Sequence, residues 1–147
     1  MAAAATAVDV VRAFYDGVNR RDLAAVEPLI AEGCVYEDLV FPRPFVGRER
    51  IIGFFGEFMG TLSADLQFVI DDISAEDSAA VGVTWHLGTR AAPTPPPATG
   101  DPVVGVVAYS CHLPCNAEWR GRPFPFSRGC SFYRLLESEH EQQPQIV

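Results

Sequence analysis

Few residues in this chain are placed to do chemistry, and the clearest group is Tyr36-Glu37-Asp38, set in an apolar stretch with Val35, Leu39, Val40 and Phe41. A carboxylate works as a general base when an apolar pocket lifts its pKa toward working pH. Asp38 is therefore the candidate base. Side chains alternate along a strand, so Glu37 and Asp38 point to opposite faces. One faces a pocket and the other faces helix or solvent. A solvated edge pair, or pairing with an Arg such as Arg43, is the plainer reading. His86 is the second candidate, since an imidazole titrates at about 6.5. It shares a strand face with Thr84, where an exposed or hydrogen-bonded histidine is the plainer reading. Trp85, Trp119, Tyr36 and Phe132 are core or pocket wall. Arg48 and Arg50 read as a solvated helix start. Cys111-His112-Leu113-Pro114-Cys115 offers two thiolates and an imidazole. A structural zinc site needs four ligands, and no second pair stands nearby. The haem motif requires Cys-x-x-Cys-His, whereas here the histidine sits inside the pair. No metal is expected. Without a phosphate-cradling glycine loop or a Gly-x-Ser-x-Gly elbow, no cofactor is expected either.

The elements that must position these groups follow from periodicity. Ala7, Val8, Val10, Val11, Phe14, Tyr15 and Val18 fall at helical spacing, which predicts a helix over 7–18. Thr6 and Asp9 have capping-box spacing, and Asn19 can end the helix. Asp22 caps a second helix, predicted over 22–31, which Pro28 should kink or split. A strand is predicted over 34–40. Pro42 and Pro44 lack ladder donors, so 41–47 reads as a loop ending at Gly47. Ile51, Ile52, Phe54, Phe55, Phe58 and Met59 predict a helix over 48–59. Alternation predicts strands over 66–73, 79–87 and 124–136, with a polar turn at 74–78. Helices come first and antiparallel strands follow, which argues for α+β.

Residues 88–117 break the pattern, with six of the twelve prolines, including Pro95-Pro96-Pro97. A structureless connection of this length is unusual in a compact domain. If it is removed, Trp85-His86-Leu87 runs into Glu118-Trp119-Arg120-Gly121-Arg122, a strand, a tight turn and the next strand. Thirty residues keep the reading frame, a GT donor fits a Gly88 codon, and an AG acceptor fits across Ala117 and Glu118. A retained intron or equivalent insertion fits these facts, and so does a long native loop. Within it, Val103–Tyr109 is apolar enough for a short edge strand.

The 147 residues suit one domain, with enough chain to bury a real core. Hydrophobic residues make up 48%, too many for a disordered chain. The charge of −8 argues against a nucleic-acid surface, which needs clustered positive charge. No apolar run reaches the ~18 residues of a membrane span. All eleven basic side chains are Arg, which points to a GC-rich coding sequence rather than to function. Residues 1–5 form no secretory signal and are too short for a transit peptide. Cys34, Cys111, Cys115 and Cys130 are therefore expected as reduced thiols in a soluble intracellular protein.

Val10-Val11-Arg12-Ala13-Phe14-Tyr15-Asp16-Gly17-Val18-Asn19, Arg21-Asp22-Leu23, Tyr36-Glu37-Asp38 and Gly47-Arg48 together resemble the SnoaL-like branch of the nuclear transport factor 2-like superfamily. The similarity covers about 8–87 and 118–136. The stretch from Phe124 to Arg134 is also similar to plant plastid members, which points to a plastid. The resemblance implies a single domain over 1–147, with a curved antiparallel sheet and three helices in its N-terminal half closing a conical pocket. The superfamily includes ketosteroid isomerase, epoxide hydrolases, polyketide cyclases and scytalone dehydratase. Ketosteroid isomerase uses an Asp base beside a Tyr and a protonated Asp that hold an oxyanion. By motif the base falls on Asp38, the tyrosine on Phe14 and the protonated acid near Cys130. Phe14 has no hydroxyl and a thiol is a weak donor. Tyr15 lies about 100° round the helix from Phe14. The expectation is a pocket walled by Phe14, Tyr36, Trp85, Cys130 and Phe132 that binds a small apolar molecule without strong catalysis. An isomerase, cyclase or dehydratase using Asp38 or His86 is the alternative, and a protein-interaction scaffold is the second. Family members usually add one more strand after the Phe-Tyr-Arg-Leu segment. Its absence would leave an open sheet edge, which a homodimer could cover.

Overall fold

The computed structural model describes residues 5–39, 41–75, 79–89, 118–119, 122–123, 128–136 and 144–147. Three helices, α1 (Ala7–Arg20), α2 (Leu23–Val26) and α3 (Arg48–Thr61), pack against a curled antiparallel sheet. The sheet contains β3 (Leu66–Ala75), β4 (Ala80–Thr89), β7 (Arg128–Leu136) and β8 (Gln145–Ile146), in the order β3-β4-β7-β8. Two short pairs stand apart from it: β1 (Val35–Tyr36) with β2 (Phe45–Val46), and β5 (Glu118–Trp119) with β6 (Arg122–Pro123). The α+β class expected from helix and strand periodicity is the class observed.

The start of α1 is a full capping box. Thr6 Oγ1 accepts from the Asp9 N–H at 3.2 Å, and Asp9 Oδ2 accepts from the Thr6 N–H at 2.9 Å. The helix passes Asn19, the expected stop, and ends where Arg21 turns left-handed at φ 60°. Asn19 instead serves the sheet. Its amide donates to the Phe68 carbonyl and accepts from the Phe68 N–H, both at 2.8 Å, as a neighbouring strand would. The Arg21 guanidinium donates to the carbonyls of Met59, Leu62 and Ser63 at 2.9, 3.2 and 2.6 Å, satisfying the end of α3. Asp22 caps α2 through the Ala25 N–H. Pro28 cuts α2 to four residues followed by a 3-10 turn, Glu27–Leu29.

Several boundaries differ from expectation. The strand expected over 34–40 shrinks to Val35–Tyr36, because the Phe41 N–H closes a turn on the Asp38 carbonyl at 2.9 Å. The loop expected over 41–47 contains β2, which begins after Pro44 and pairs Phe45 with Tyr36. β4 runs on through Gly88 and Thr89, opposite Gln67 and Leu66, two residues into the proline-rich segment. Residues 90–117, and the expected strand start at 124–127, lie outside the described residues. The expected open edge is covered in part: β8 pairs with Leu135 and Leu136, and Ile146 also bridges to Ile30. Arg48 is not simply solvated, since its Nε donates to the Ile30 carbonyl at 2.5 Å.

The core lies between the helices and the inner sheet face. Val10, Val11 and Phe14 of α1 meet Ile51, Phe54, Phe55 and Phe58 of α3, with Val81, Val83 and Leu87 of β4 beneath.

Candidate functional site

A cavity of about 550 Å³ opens between the helices and the sheet, within the usual range for small-molecule sites. α1 contributes Phe14, α3 contributes Ile51 and Phe55, and the segment Cys34–Leu39 crosses one side. β4 contributes Trp85, β7 borders the cavity from Arg128 to Tyr133, and Ile146 and Val147 complete the wall. The aromatic side is tightly knit: Phe14 meets Phe55 edge-on at 5.4 Å, and Tyr36 lies 5.5 Å from Phe55.

Two polar groups interrupt this wall. The first is Tyr36 with Asp38. The Tyr36 hydroxyl donates to Asp38 Oδ2 at 3.2 Å. Burial, and then the charge of Asp38, push the Tyr36 phenol well above its ordinary range, so it stays a donor. The turn at Asp38–Phe41 ends the strand early, so strict alternation does not apply, and Glu37 and Asp38 both border the cavity. Asp38 is partly buried and Glu37 is exposed.

The second group lies on the sheet side. The Tyr133 hydroxyl donates to the Tyr15 hydroxyl at 2.8 Å, and Trp85 Nε1 donates to Ser131 Oγ at 3.0 Å. Burial raises both phenol pKa values. The Ser131 hydroxyl opposes this, as a donor to a phenolate would. Trp85 occupies its place because its partner across the ladder is Gly129. A Cβ at Gly129 would lie 2.2 Å from the indole, so the ring lies flat over bare backbone.

Pairing decides which other side chains face inward. Val83 pairs with Ser131 and Val81 with Tyr133, which puts Ser131 and Tyr133 on the inner face. Cys130 and Phe132 border the cavity through their strand, but they pair with Thr84 and Gly82 of the outer face. The Phe132 side chain lies beside Gly82, and the residue is 84% exposed. His86 is not among the lining residues. It lies on the outer face, about a third exposed, with Nδ1 2.6 Å from Asp71 Oδ1. Asp71 reaches it from a bulge where the β3–β4 register skips between Ile70 and Asp72. Asp38 and His86 are therefore not brought together. Among the described residues no three His, Cys, Asp or Glu side chains cluster to hold a metal. Cys111, His112 and Cys115 lie outside those residues. Likewise, no helix among them is long and apolar enough to cross a membrane.

Sequence reasoning passed over Tyr15, Ser131 and Tyr133. One signal was available for Tyr15. It sits in the buried stripe of α1, and a buried tyrosine hydroxyl usually has a partner.

Comparison with known proteins agrees with this architecture. The chain belongs to the SnoaL-like domain family, whose model matches residues 11–140. None of the curated proteins matches significantly. Among solved structures, an NTF2-like protein of unknown function from Cytophaga hutchinsonii matches with TM-score 0.57 and 12% identity, over 100% of this chain and 93% of that one. A protein provisionally named polyketide cyclase from Sinorhizobium meliloti matches with TM-score 0.53 and 14% identity, over 95% and 94%. An LEH-like epoxide hydrolase from M. tuberculosis matches with TM-score 0.45 and 26% identity, over 54% of this chain and 59% of that one. The likenesses to the Cytophaga and Sinorhizobium proteins establish the NTF2-like α+β fold.

Proposed function

We propose that the chain binds a small apolar molecule in this cavity and does not turn it over quickly. The observation that carries the reading is the wall: aromatic and aliphatic side chains, with Asp38 and Tyr36 as a polar anchor at one side. A ligand with one polar group would lay its apolar body against Phe14, Phe55 and Trp85 and aim that group at Asp38. Fast enolisation requires donors waiting for the oxyanion. The two positions that supply them in ketosteroid isomerase are here Phe14 and the outward-facing Cys130. Losing one such donor costs about 10²–10³ in rate.

A second reading has its own support. Asp38 borders the cavity beside a phenol that keeps its proton, so it could take a proton from carbon next to a carbonyl, as an isomerase, cyclase or dehydratase requires. The test is a dienolisation assay with a β,γ-unsaturated cyclic ketone, run beside a binding titration, for the wild type and Asp38→Asn. Saturable binding with slow turnover is expected, and Asp38→Asn should weaken the binding while leaving the turnover as slow as before. Robust turnover abolished by that substitution would replace the binding reading with the enzyme one. The absence of any binding would remove both and leave a protein-interaction scaffold.

A further inference from the structure

Three of the described residues that border the cavity have an Asp, Glu, Lys or Arg side chain: Glu37, Asp38 and Arg128. Arg128 is exposed and pairs across the ladder with His86, so its side chain belongs to the outer face of the sheet. The two acids stand together on the other side, in the Cys34–Leu39 segment. These groups therefore present negative charge to the cavity, in a molecule whose net charge is −8. Asp38 is the more deeply set, being partly buried where Glu37 is exposed. Its Oδ2 accepts from the Tyr36 hydroxyl at 3.2 Å. A carboxylate has about four lone-pair sites, so a ligand's donor can join that hydroxyl without displacing it. The wall next to this acid is aromatic. Phe55 lies 5.5 Å from the Tyr36 ring, and Phe14 lies 5.4 Å from Phe55. Aromatic faces are electron-rich and attract a cation within about 6 Å.

We propose that the cavity selects a small cyclic amine, bound as its ammonium ion with the charge at Asp38 and the apolar body against the aromatic wall. This rests on the ligand-binding reading above and adds the charge that the ligand carries. An ammonium loses water on entry, and the carboxylate and the ring faces together offset that loss. Its hydrogen bond to the carboxylate joins two opposite charges, the stronger kind of pair. An alcohol of the same shape donates to the same oxygen but brings no charge. A carboxylate ligand meets like charge at Asp38 and Glu37. A hydrocarbon excludes water from Asp38 and gives nothing in return.

The experiment compares binding of 2-aminotetralin, 2-tetralol, tetralin and tetralin-2-carboxylate at neutral pH by calorimetry. The proteins are the full-length wild type, Asp38→Asn and Glu37→Gln, with circular dichroism to check the fold. The wild type is expected to prefer the amine to the alcohol by about tenfold, the worth of a charge-assisted pair with its ring contacts, and to bind the carboxylate most weakly. Asp38→Asn should bring the amine within about threefold of the alcohol without weakening tetralin. Glu37→Gln should cost the amine less, and added salt should remove that smaller loss, because Glu37 is exposed. A merely structural Asp38 would weaken all four ligands together, which would overturn the proposal, as would an amine preference that survives Asp38→Asn. Equal binding of amine and alcohol to the wild type would overturn it too and leave the binding reading intact. Failure of all four to bind would overturn both. If Asp38→Asn does not fold, the comparison of ligands on the wild type still decides.

Discussion

At the scale of single residues, the tyrosines dominate the chemistry of the interior. Tyr15, Tyr36 and Tyr133 are all raised above the ordinary phenol range, each by burial first. The consequence for stability has a definite sign. In the unfolded chain these phenols ionise at about pH 10. Below that pH both states hold their protons and the contribution to stability is complete. As pH climbs from there toward the folded values, the unfolded state binds fewer protons, and stability falls by about 1.4 kcal/mol per pH unit for each group still protonated in the folded state. Phenolate absorbance should therefore show the three ionising together with unfolding. Reversible ionisation of all of them near pH 10 in a protein that keeps its helical signal would contradict the burial described here. At this scale the sequence was legible where a residue's neighbours left one reading. Phe14 and Trp85 follow from simple periodicity, and both border the cavity. It was not legible along Cys130-Ser131-Phe132-Tyr133, where both faces of the strand carry an aromatic. Only the pairing of Val81 and Val83 decides which face turns inward.

At the scale of elements, the contacts between helices are set by what is missing as much as by what is present. Gly17 lies in the last turns of α1, where α2 crosses. A Cβ there would come within 2.5 Å of Val26 Cγ2. Val26 is fully buried, and a β-branched side chain has few other rotamers to adopt. Alanine at this site would gain about 1 kcal/mol of helix propensity and lose about 1–3 kcal/mol to overpacking. Gly17→Ala should therefore be destabilising in urea unfolding. Gly53 of α3 is the matched control, being exposed with nothing within 4 Å of an added Cβ. Gly53→Ala should stabilise by about 0.5–1 kcal/mol. Equal effects of the two substitutions would mean that α1 and α2 are not in the contact described. Long periodic elements such as α1, α3 and β4 were visible in the sequence because many residues vote for each. β1 falls inside the strand expected over 34–40 but stops early, whereas β2 is two residues long, too short to show a period, and Pro42 and Pro44 pointed away from a strand. The bulge at Asp71, which gives His86 its partner, changes no composition and left no trace.

At the scale of the whole molecule, the last residues bind the two halves together. Ile146 is buried, pairs with Leu135, and accepts from the Ala31 N–H at 2.8 Å, while the Gln145 amide donates to the Pro28 carbonyl. The helical half is thus closed onto β7. Between β4 and β7 the chain must cover 38 residues, from 90 to 127. The sheet itself uses residues up to Thr89 and again from Arg128. Removing 90–117 would leave ten residues, including the β5–β6 pair, to make the same connection. That is close to two halvings of loop length, each worth about 0.6 kcal/mol of closure entropy. Gly88 and Thr89 should stay, because they hold Gln67 and Leu66 in the ladder. A variant lacking 90–117 is expected to fold to the same sheet and to gain about 1 kcal/mol in urea unfolding. A variant lacking 88–117 should gain less, since Glu118 and Trp119 would have to replace two ladder positions. Loss of cooperative unfolding in the shorter deletion would show that the segment is structural rather than inserted.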